Sequence, residues 1–368
     1  MTAPVSRIIK IGGFEEVKAV FIGGDYPVVI QTMWKDRLSF ANLENEAGEA
    51  LARRINGLAA MGCGLLRFAV PAMADAEILG ELASRVSMPL CADIHFDYKI
   101  ALRCLDFPVA KLRINPGNIG RRNRVAAVVS KAAAKGVPIR IGVNAGSLPA
   151  PLREAVDNRS LDRAEALVKA ALDELAVFDE LGFTNTAVSM KASGIADTIK
   201  ANRLFAERSS VPLHIGVTEA GPLVSGTVRN TAALLPLLAE GIGDTIRVSL
   251  SDSPENEVIA GREILNAEEL GKHGAVIVSC PRCGRNGFDT IAFTERWKTR
   301  LYGLDKDCVI AIMGCAVNGP GEARHADLGI TGAGNSLMIF RHGKVIRTLP
   351  VKSDAEADKA FEEELNKL

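Results

Sequence analysis

The sequence predicts an α/β protein in which an N-terminal (β/α)8 TIM barrel is followed by a smaller α/β domain. Short aliphatic and β-branched runs alternate with longer segments of helical periodicity, and this unit repeats eight times over roughly 270 residues. After the eighth unit the order of elements changes. A doubly wound open sheet is the alternative, but it rarely needs eight units, and no Gly-x-Gly-x-x-Gly follows the first strand.

The predicted barrel elements are as follows. The strands are Val28–Met33, Leu65–Val70, Leu90–Ile94, Ala110–Pro116, Ile139–Asn144, Thr186–Lys191, Leu213–Thr218 and Thr245–Leu250. Helical periodicity is clearest in Asn42–Met61, Ala72–Val86, Leu161–Leu181, Asn230–Glu240 and Glu255–Leu270. The barrel is therefore assigned to residues 1–270.

The second domain is assigned to residues 271–368. Its predicted strands are Gly274–Ser279, Val309–Met313, Asp327–Thr331, Ser336–Phe340 and Lys344–Leu349, with a helix at Asp289–Tyr302. A tight turn is predicted at His342-Gly343. Ser353 and Glu356 form a capping box that opens the last helix.

Composition excludes several classes of protein. The 368 residues contain 44 basic and 44 acidic side chains, which gives no reason to expect binding to nucleic acid or to an anionic membrane. No apolar run reaches the roughly 18 residues of a spanning helix, and the first residues lack a secretory signal pattern. Seven cysteines, an odd number, do not suggest a disulfide framework. We therefore expect a cytoplasmic protein.

Three cysteines of the second domain indicate a metal centre. Cys280 and Cys283 form a Cys-x-x-Cys pair, and Cys315 precedes a sharp turn at 318–321 that could bring the Glu322 carboxylate back toward the thiols. Three thiolates and one carboxylate suggest a 4Fe–4S cluster with one reactive corner. The alternative is a structural zinc site in which Cys308 is the fourth ligand.

A second set of polar residues lies at the carboxyl ends of the barrel strands, where the active sites of such barrels form. Cations that converge there would repel one another and resist burial unless they bind an anion, such as a phosphate or diphosphate. His95 closes the third strand, either as a catalytic acid or as an anchor for Asp93. The proposed binding residues are Arg67, Arg113, Arg140, Asn144, Lys191, Arg247 and Ser249, and Glu219 follows the seventh strand.

Both regions contain long motifs of one enzyme family. Segments Ser279–Arg285 and Met313–Ala323 match Ser-Cys-Pro-x-Cys-Gly-Arg and Met-Gly-Cys-x-Val-Asn-Gly-Pro-Gly-Glu-Ala. Barrel motifs match over 92–97, 112–120, 138–147, 189–193, 214–221 and 246–250. Over nearly its whole length the chain resembles the 4-hydroxy-3-methylbut-2-enyl diphosphate synthases of the methylerythritol phosphate route to isoprenoids.

The resemblance implies the chemistry and the roles of the residues. It implies reductive ring opening and dehydration of 2-C-methyl-D-erythritol 2,4-cyclodiphosphate, with two electrons from ferredoxin or flavodoxin passing through a 4Fe–4S cluster. Glu219 is then the acid–base residue, and Glu322 is a cluster ligand that also takes part in catalysis. The cluster ligands implied are Cys280, Cys283, Cys315 and Glu322, and the diphosphate ligands are the seven residues given above.

Three points remain as expectations. The first barrel loop, Thr32–Leu38, departs from the Ser-Met-Thr pattern usual in the family, so its contacts cannot be carried over. A non-redox barrel protein with a zinc-stapled tail and a cluster-dependent hydratase are rival functions. The short tether after the eighth helix, together with the resemblance, predicts a homodimer whose active sites each combine one chain's barrel with the other chain's cluster domain.

Overall fold

The computed structural model describes residues 5–271, 274–281, 283–350 and 353–368. The chain divides into two compact units, Met1–Lys272 and His273–Leu368. Each unit has its own sheet and its own buried apolar core, which are described separately below.

The first unit is a closed parallel barrel, as the sequence predicts. Neighbouring strands follow chain order, and the last strand pairs with the first. A bridge between Val188 and Leu213 completes the ring, which excludes the open-sheet alternative. The barrel strands are β3 (Val29–Met33), β4 (Cys63–Ala69), β5 (Leu90–Ile94), β6 (Lys111–Ile114), β7 (Ile139–Asn144), β8 (Thr186–Lys191), β9 (His214–Ile215) and β10 (Thr245–Ile246).

Helices cover the outside of the barrel, so its strands are buried on both faces. All five residues of β5 are buried, for example, because Cys91 and Asp93 point inward while their neighbours pack beneath helices. The helices are α1 (Asn45–Ala60), α2 (Met73–Ala83), α3 (Tyr98–Cys104), α4 (Pro116–Ile119), α5 (Arg122–Lys135), α6 (Ala150–Asp157), α7 (Arg163–Glu180), α8 (Ile195–Ala206), α9 (Leu223–Ala239) and α10 (Pro254–Ala267).

An antiparallel hairpin closes the amino-terminal end of the barrel. Its strands are β1 (Ile9–Ile11) and β2 (Val20–Ile22). Ile9, Ile11 and Ile22 are buried in one cluster with Val29 and Leu65, at the beginning of the barrel strands. Because this end is filled with aliphatic side chains, a polar ligand can enter only at the carboxyl ends of the strands.

Three predicted strands are shorter than expected. The predicted strand Ala110–Pro116 ends at Ile114, since Pro116 begins α4 and cannot donate to a ladder. The predictions Leu213–Thr218 and Thr245–Leu250 shrink to the two-residue strands β9 and β10. At Gly216 a Cβ would lie 2.3 Å from the Arg247 carbonyl oxygen, so the two chains approach too closely there for regular pairing with side chains.

The second unit is a five-stranded mixed sheet with two helices. The order is β11-β12-β13-β14-β15, parallel up to β13 and antiparallel beyond it. Phe293, Trp297 and Phe361 form its aromatic centre. The elements are β11 (Ala275–Ser279), α11 (Thr290–Tyr302), β12 (Cys308–Met313), a π-helical turn (Val317–Glu322), β13 (Leu328–Ala333), β14 (Ser336–Arg341), β15 (Lys344–Pro350) and α12 (Asp354–Leu365).

The predicted hairpin turn of this unit is confirmed, and of the predicted capping box the Ser353 N-cap is confirmed. His342 and Gly343 both have positive φ, 46° and 75°, as a two-residue hairpin turn between β14 and β15 requires. The Ser353 hydroxyl accepts a hydrogen bond from the Glu356 N–H and caps α12.

Candidate functional site

One cavity at the carboxyl ends of the barrel strands contains the predicted cations. Its volume is about 250 Å³. The structure brings all seven predicted binding residues to its wall, although they come from four different strands and the segment after β10. The lining comprises Arg67, Arg113, Arg140, Asn144, Lys191, Arg247 and Ser249 together with Met33, Asp93, His95, Ser189 and Thr218.

The two-residue period of the strands places these side chains inside the barrel. Arg140, Gly142 and Asn144 alternate with the outward residues of β7, and Arg113 lies on the neighbouring strand opposite Arg140. A Cβ at Gly142 would lie 2.4 Å from the Arg113 Nε atom. Glycine therefore leaves the room that the Arg113 guanidinium occupies.

Asp93 holds two of the cations in place. Its carboxylate lies 3.0 Å from Arg113 Nη1 and 3.4 Å from Arg67 Nε, and it is almost fully buried. Burial by itself would raise the pKa of Asp93, but Arg67 and Arg113 outweigh burial and hold this pKa below its usual value. Asp93 is therefore an anionic anchor, a role that the sequence indicated only by its place at a strand end.

His95 extends this anchor. Its Nδ1 atom lies 3.6 Å from Asp93, and Arg113 Nη1 lies 2.9 Å from its Nε2 atom. Burial lowers the pKa of His95, and Arg113 and Arg67 lower it further against the opposing effect of Asp93. A neutral imidazole that accepts a hydrogen bond from Arg113 fits this geometry. Of the two roles expected for His95, anchoring is the one these contacts favour.

Among the residues that the structure describes, no carboxylate pairs with Arg140 or Lys191. Arg140 is 1% exposed, and none of its three guanidinium nitrogens has a hydrogen-bond partner in the described part of the chain. Lys191 Nζ lies 3.1 Å from His214 Nε2, whose Nδ1 atom lies 2.8 Å from the Thr245 hydroxyl. Burial, followed by neighbouring cations, lowers the pKa of Lys191 and of Arg140 well below their usual values. A bound anion would offset the charge of both side chains.

Glu257 is a site residue that sequence reasoning missed. It lies in the first turn of α10 and is 1% exposed. Its carboxylate accepts hydrogen bonds from Arg247, at 3.0 and 3.2 Å, and from Lys35 at 2.5 Å. A glutamate in the first turn of a helix is common, because its negative charge interacts favourably with the helix dipole. Nothing in the local sequence separates this one from an ordinary helix-start residue.

Glu219, the predicted acid–base residue, lies just outside this wall. It is exposed and follows Thr218, which does line the cavity. Its φ of 54° is uncommon for a residue other than glycine, asparagine or aspartate and costs roughly 1–2 kcal/mol. Backbone strain of this kind clusters at functional sites.

The three predicted thiol ligands line a second cavity, of about 190 Å³, in the smaller unit. Ser279 pairs with Ile312 in adjacent parallel strands, so Cys280 and Cys315 both follow the carboxyl end of a strand. The pairing of β11 with β12 therefore brings Cys280 and Cys315 close together although they are far apart in the sequence. The cavity is lined by Cys280, Pro281, Cys283, Arg285, Asn286, Gly314, Cys315 and Asn318.

Hydrogen-bond donors surround the sulfur atoms. The Gly314 N–H donates to Cys280 Sγ at 3.0 Å. The pKa of the Cys315 thiol is lowered, first by the backbone N–H of Asn318 and then by that of Val317 and by the Arg285 side chain. Such donors stabilise thiolates, which are the form that binds metal.

Cys308 and Glu322 lie outside the thiol cavity. Cys308 is buried at the start of β12, opposite Ala275 and roughly 16 Å along the strand from Met313. A zinc site with Cys308 as fourth ligand does not fit this arrangement. Glu322 is exposed at the end of the π-helical turn. In the described residues, no three His, Cys, Asp or Glu side chains already stand close enough to share a metal ion.

Family profiles match both units of the chain. The family profile described as the GcpE TIM-barrel domain matches residues 15–262, and the GcpE protein C-terminal domain matches residues 276–367. The chain belongs to the GcpE family. No helix among the described residues is long and apolar enough to span a membrane.

Several curated GcpE relatives match nearly the whole chain. Three are named 4-hydroxy-3-methylbut-2-en-1-yl diphosphate synthase (flavodoxin). That of Treponema pallidum is 53% identical over 99% of this chain and 92% of its own length. That of Treponema denticola is 50% identical over 98% of both, and that of Geobacter sulfurreducens is 45% identical over 96% of this chain and 95% of its own.

Proposed function

We propose that this GcpE protein converts 2-C-methyl-D-erythritol 2,4-cyclodiphosphate into 4-hydroxy-3-methylbut-2-enyl diphosphate by reductive ring opening and dehydration. The relatives' names support the product, an allylic diphosphate. The observation that carries the proposal is the barrel cavity, in which Arg140 and Lys191 are buried without a carboxylate counterion in the described residues. A bound diphosphate supplies the missing negative charge.

Two kinds of cation line the cavity: some are paired with a carboxylate, and others are not paired with one in the described residues. Asp93 orients Arg67 and Arg113, and Glu257 orients Arg247, so these guanidinium groups present fixed faces to a phosphate. Arg140 and Lys191 contribute charge that is not paired with a carboxylate in the described part of the chain. Asn144 and Ser249 add neutral donors at the rim of the same cavity. Fixed, charge-assisted contacts hold the phosphates while the carbon skeleton reacts.

The thiol cavity is our proposed site for a 4Fe–4S cluster. Cys280, Cys283 and Cys315 would hold it, and the Gly314 N–H and Arg285 would stabilise the sulfur charge. This donor set fits the group, since it offers three thiolates and leaves one iron without a cysteine. When bound, such a cluster supplies single electrons and a Lewis-acidic iron.

Two glutamates complete the proposal. Glu322 would occupy the remaining ligand position, which requires its exposed side chain to turn toward the thiols. As a carboxylate, Glu322 would be a weaker ligand for such an iron than a thiolate and would be the exchangeable one of the four. Glu219, at the rim of the barrel cavity, would move a proton at the reacting carbons. Its strained backbone supports a role beyond structure.

The electron donor and the assembly also belong to the proposal. The names of the relatives favour flavodoxin, with ferredoxin as the alternative. We propose a cytoplasmic homodimer in which one chain's barrel and its partner's cluster domain form each active site. The short connection between Ala267 and Ala275 supports this, because α10 ends at the amino-terminal face of the barrel, away from the cations. Mixing inactive Cys280→Ser and Lys191→Ala chains should restore activity if sites are shared.

Anaerobic iron and sulfide analysis, followed by turnover assays, tests the reaction itself. We expect about four irons per chain, as a 4Fe–4S cluster requires, and product formation only with a low-potential reductant. A colourless protein with one zinc would identify a zinc-stapled barrel instead. Turnover without reductant would identify a cluster-dependent hydratase.

A further inference from the structure

The segment Thr32–Leu38, which runs from the end of β3 into the first barrel loop, is tied to the phosphate cavity through the buried carboxylate of Glu257. One carboxylate oxygen of Glu257 accepts from Lys35 Nζ at 2.5 Å, Arg247 Nη2 at 3.0 Å and the Leu250 N–H at 3.0 Å. The other oxygen accepts from the Thr32 hydroxyl at 2.7 Å and Arg247 Nε at 3.2 Å. Glu257 therefore links the segment after β3 with the segment after β10.

Lys35 changes the charge balance of this group. Glu257 and Arg247 by themselves would form a neutral pair, and the attraction of Arg247 for an anion would be largely cancelled. Lys35 adds a second cation to the same carboxylate and also donates to the Leu250 carbonyl oxygen at 3.0 Å. Its side chain is 27% exposed, so its charge costs less to bury than that of Arg247. The group of three keeps one net positive charge.

The same ratio of two cations to one buried carboxylate occurs at Asp93. Asp93 is shared between Arg67 and Arg113, again two cations for one buried carboxylate. Each carboxylate thus fixes guanidinium geometry without removing the positive potential of the cavity. On the Asp93 side both cations line the cavity, whereas on the Glu257 side Arg247 lines it and Lys35 does not.

We propose that Lys35 is a positioning residue, which acts through Glu257 to hold Arg247 in place and leave its charge available to the diphosphate. This inference rests on the proposed function, since it takes a diphosphate as the ligand. It assigns a role to the first loop, where this chain departs from the Ser-Met-Thr pattern. Lys35 contributes its charge rather than its packing.

The test uses the full-length protein and inorganic pyrophosphate as the calorimetric probe. Lys35→Met should weaken pyrophosphate binding about tenfold, the effect expected when one unit charge is removed near a partly buried anion site. In turnover it should raise KM by a similar factor with little change in kcat, and Lys35→Arg should retain binding. Arg37→Met is the matched control. Arg37 lies in the same loop as Lys35, but it pairs with Asp75 of α2 and does not line the phosphate cavity.

A double variant separates charge from structure. Lys35→Met combined with Glu257→Gln restores the net charge, and the amide oxygen can still accept from Arg247. We expect this double variant to bind pyrophosphate within about threefold of the unsubstituted protein. A double variant as weak as Lys35→Met or weaker would overturn the inference, as would normal binding by Lys35→Met. If the unsubstituted protein itself fails to bind pyrophosphate, the proposed function fails as well.

Discussion

Replacing Arg140 by methionine should stabilise the empty barrel and at the same time weaken the binding of its ligand. Arg140 is 1% exposed, has no hydrogen-bond partner for its guanidinium in the described residues, and has a pKa lowered well below its usual value by burial and by Arg67. An unpaired buried ion costs several kcal/mol. Methionine has a similar length and no charge, so it removes this cost without leaving a large cavity.

The magnitudes follow from the same contacts. We expect Arg140→Met to raise the free energy of unfolding of the barrel by about 1–3 kcal/mol. The substitution removes the desolvation cost of the buried charge, and the methionine side chain packs in its place. The lost charge-assisted contacts to phosphate should weaken pyrophosphate binding by about 1.5–3 kcal/mol, or roughly 10- to 150-fold. A gain in stability with a loss of binding is the expected mark of a residue kept for function.

The assay can observe the barrel alone. The chain has two tryptophans, Trp34 in the barrel and Trp297 in the smaller unit. In a Trp297→Phe background, urea unfolding followed by fluorescence reports on Trp34, which is buried and stacked on Phe68. Arg203→Met, which breaks an exposed ion pair with Glu240, is the control and should change stability by less than about 0.5 kcal/mol.

The refuting result is a loss of stability. If Arg140→Met lowers the free energy of unfolding, the guanidinium makes stabilising contacts in the empty protein. Arg140 would then not be a buried cation that depends on a bound anion for its partner. Unchanged pyrophosphate affinity would likewise remove Arg140 from the binding site.

Three further predictions concern the remaining site residues. Burial lowers the pKa of Lys191 in the empty protein, and a bound phosphate would raise it, so binding should take up a proton. Pyrophosphate affinity should therefore fall as pH rises between the lowered pKa of Lys191 and its usual value. Calorimetry in buffers of different ionisation enthalpy measures the proton uptake, which Lys191→Met should abolish. Glu219→Gln should spare pyrophosphate binding and lower kcat, and an unchanged kcat would exclude Glu219 from proton transfer. Anaerobic iron analysis should find no cluster in Cys280→Ser, Cys283→Ser or Cys315→Ser and a partial iron content in Glu322→Gln. Cys308→Ser should keep its full iron content. Loss of iron from Cys308→Ser would instead support the four-thiol zinc site.

The barrel and its mouth were predictable because both follow from short-range periodicity. Eight strand–helix repeats leave few alternatives to a closed barrel, and every parallel strand ends at the same face. The two-residue period then sends Arg140 and Asn144 to the interior together. Cysteine spacing likewise indicated Cys280, Cys283 and Cys315, and all three line one cavity.

Only the tertiary structure decided which groups offset one another. The contact between Glu257 and Lys35 joins residues 222 positions apart, and neither local pattern marks it. Whether a buried cation has a counterion depends on such distant partners, so Arg140 and Arg247 look alike in sequence and differ in structure. The place of Cys308 was open for a similar reason: only the pairing of β11 with β12 shows that it lies at the far end of the strand from Cys280. Sequence periodicity determines the direction of a side chain, but long-range packing determines what that side chain meets.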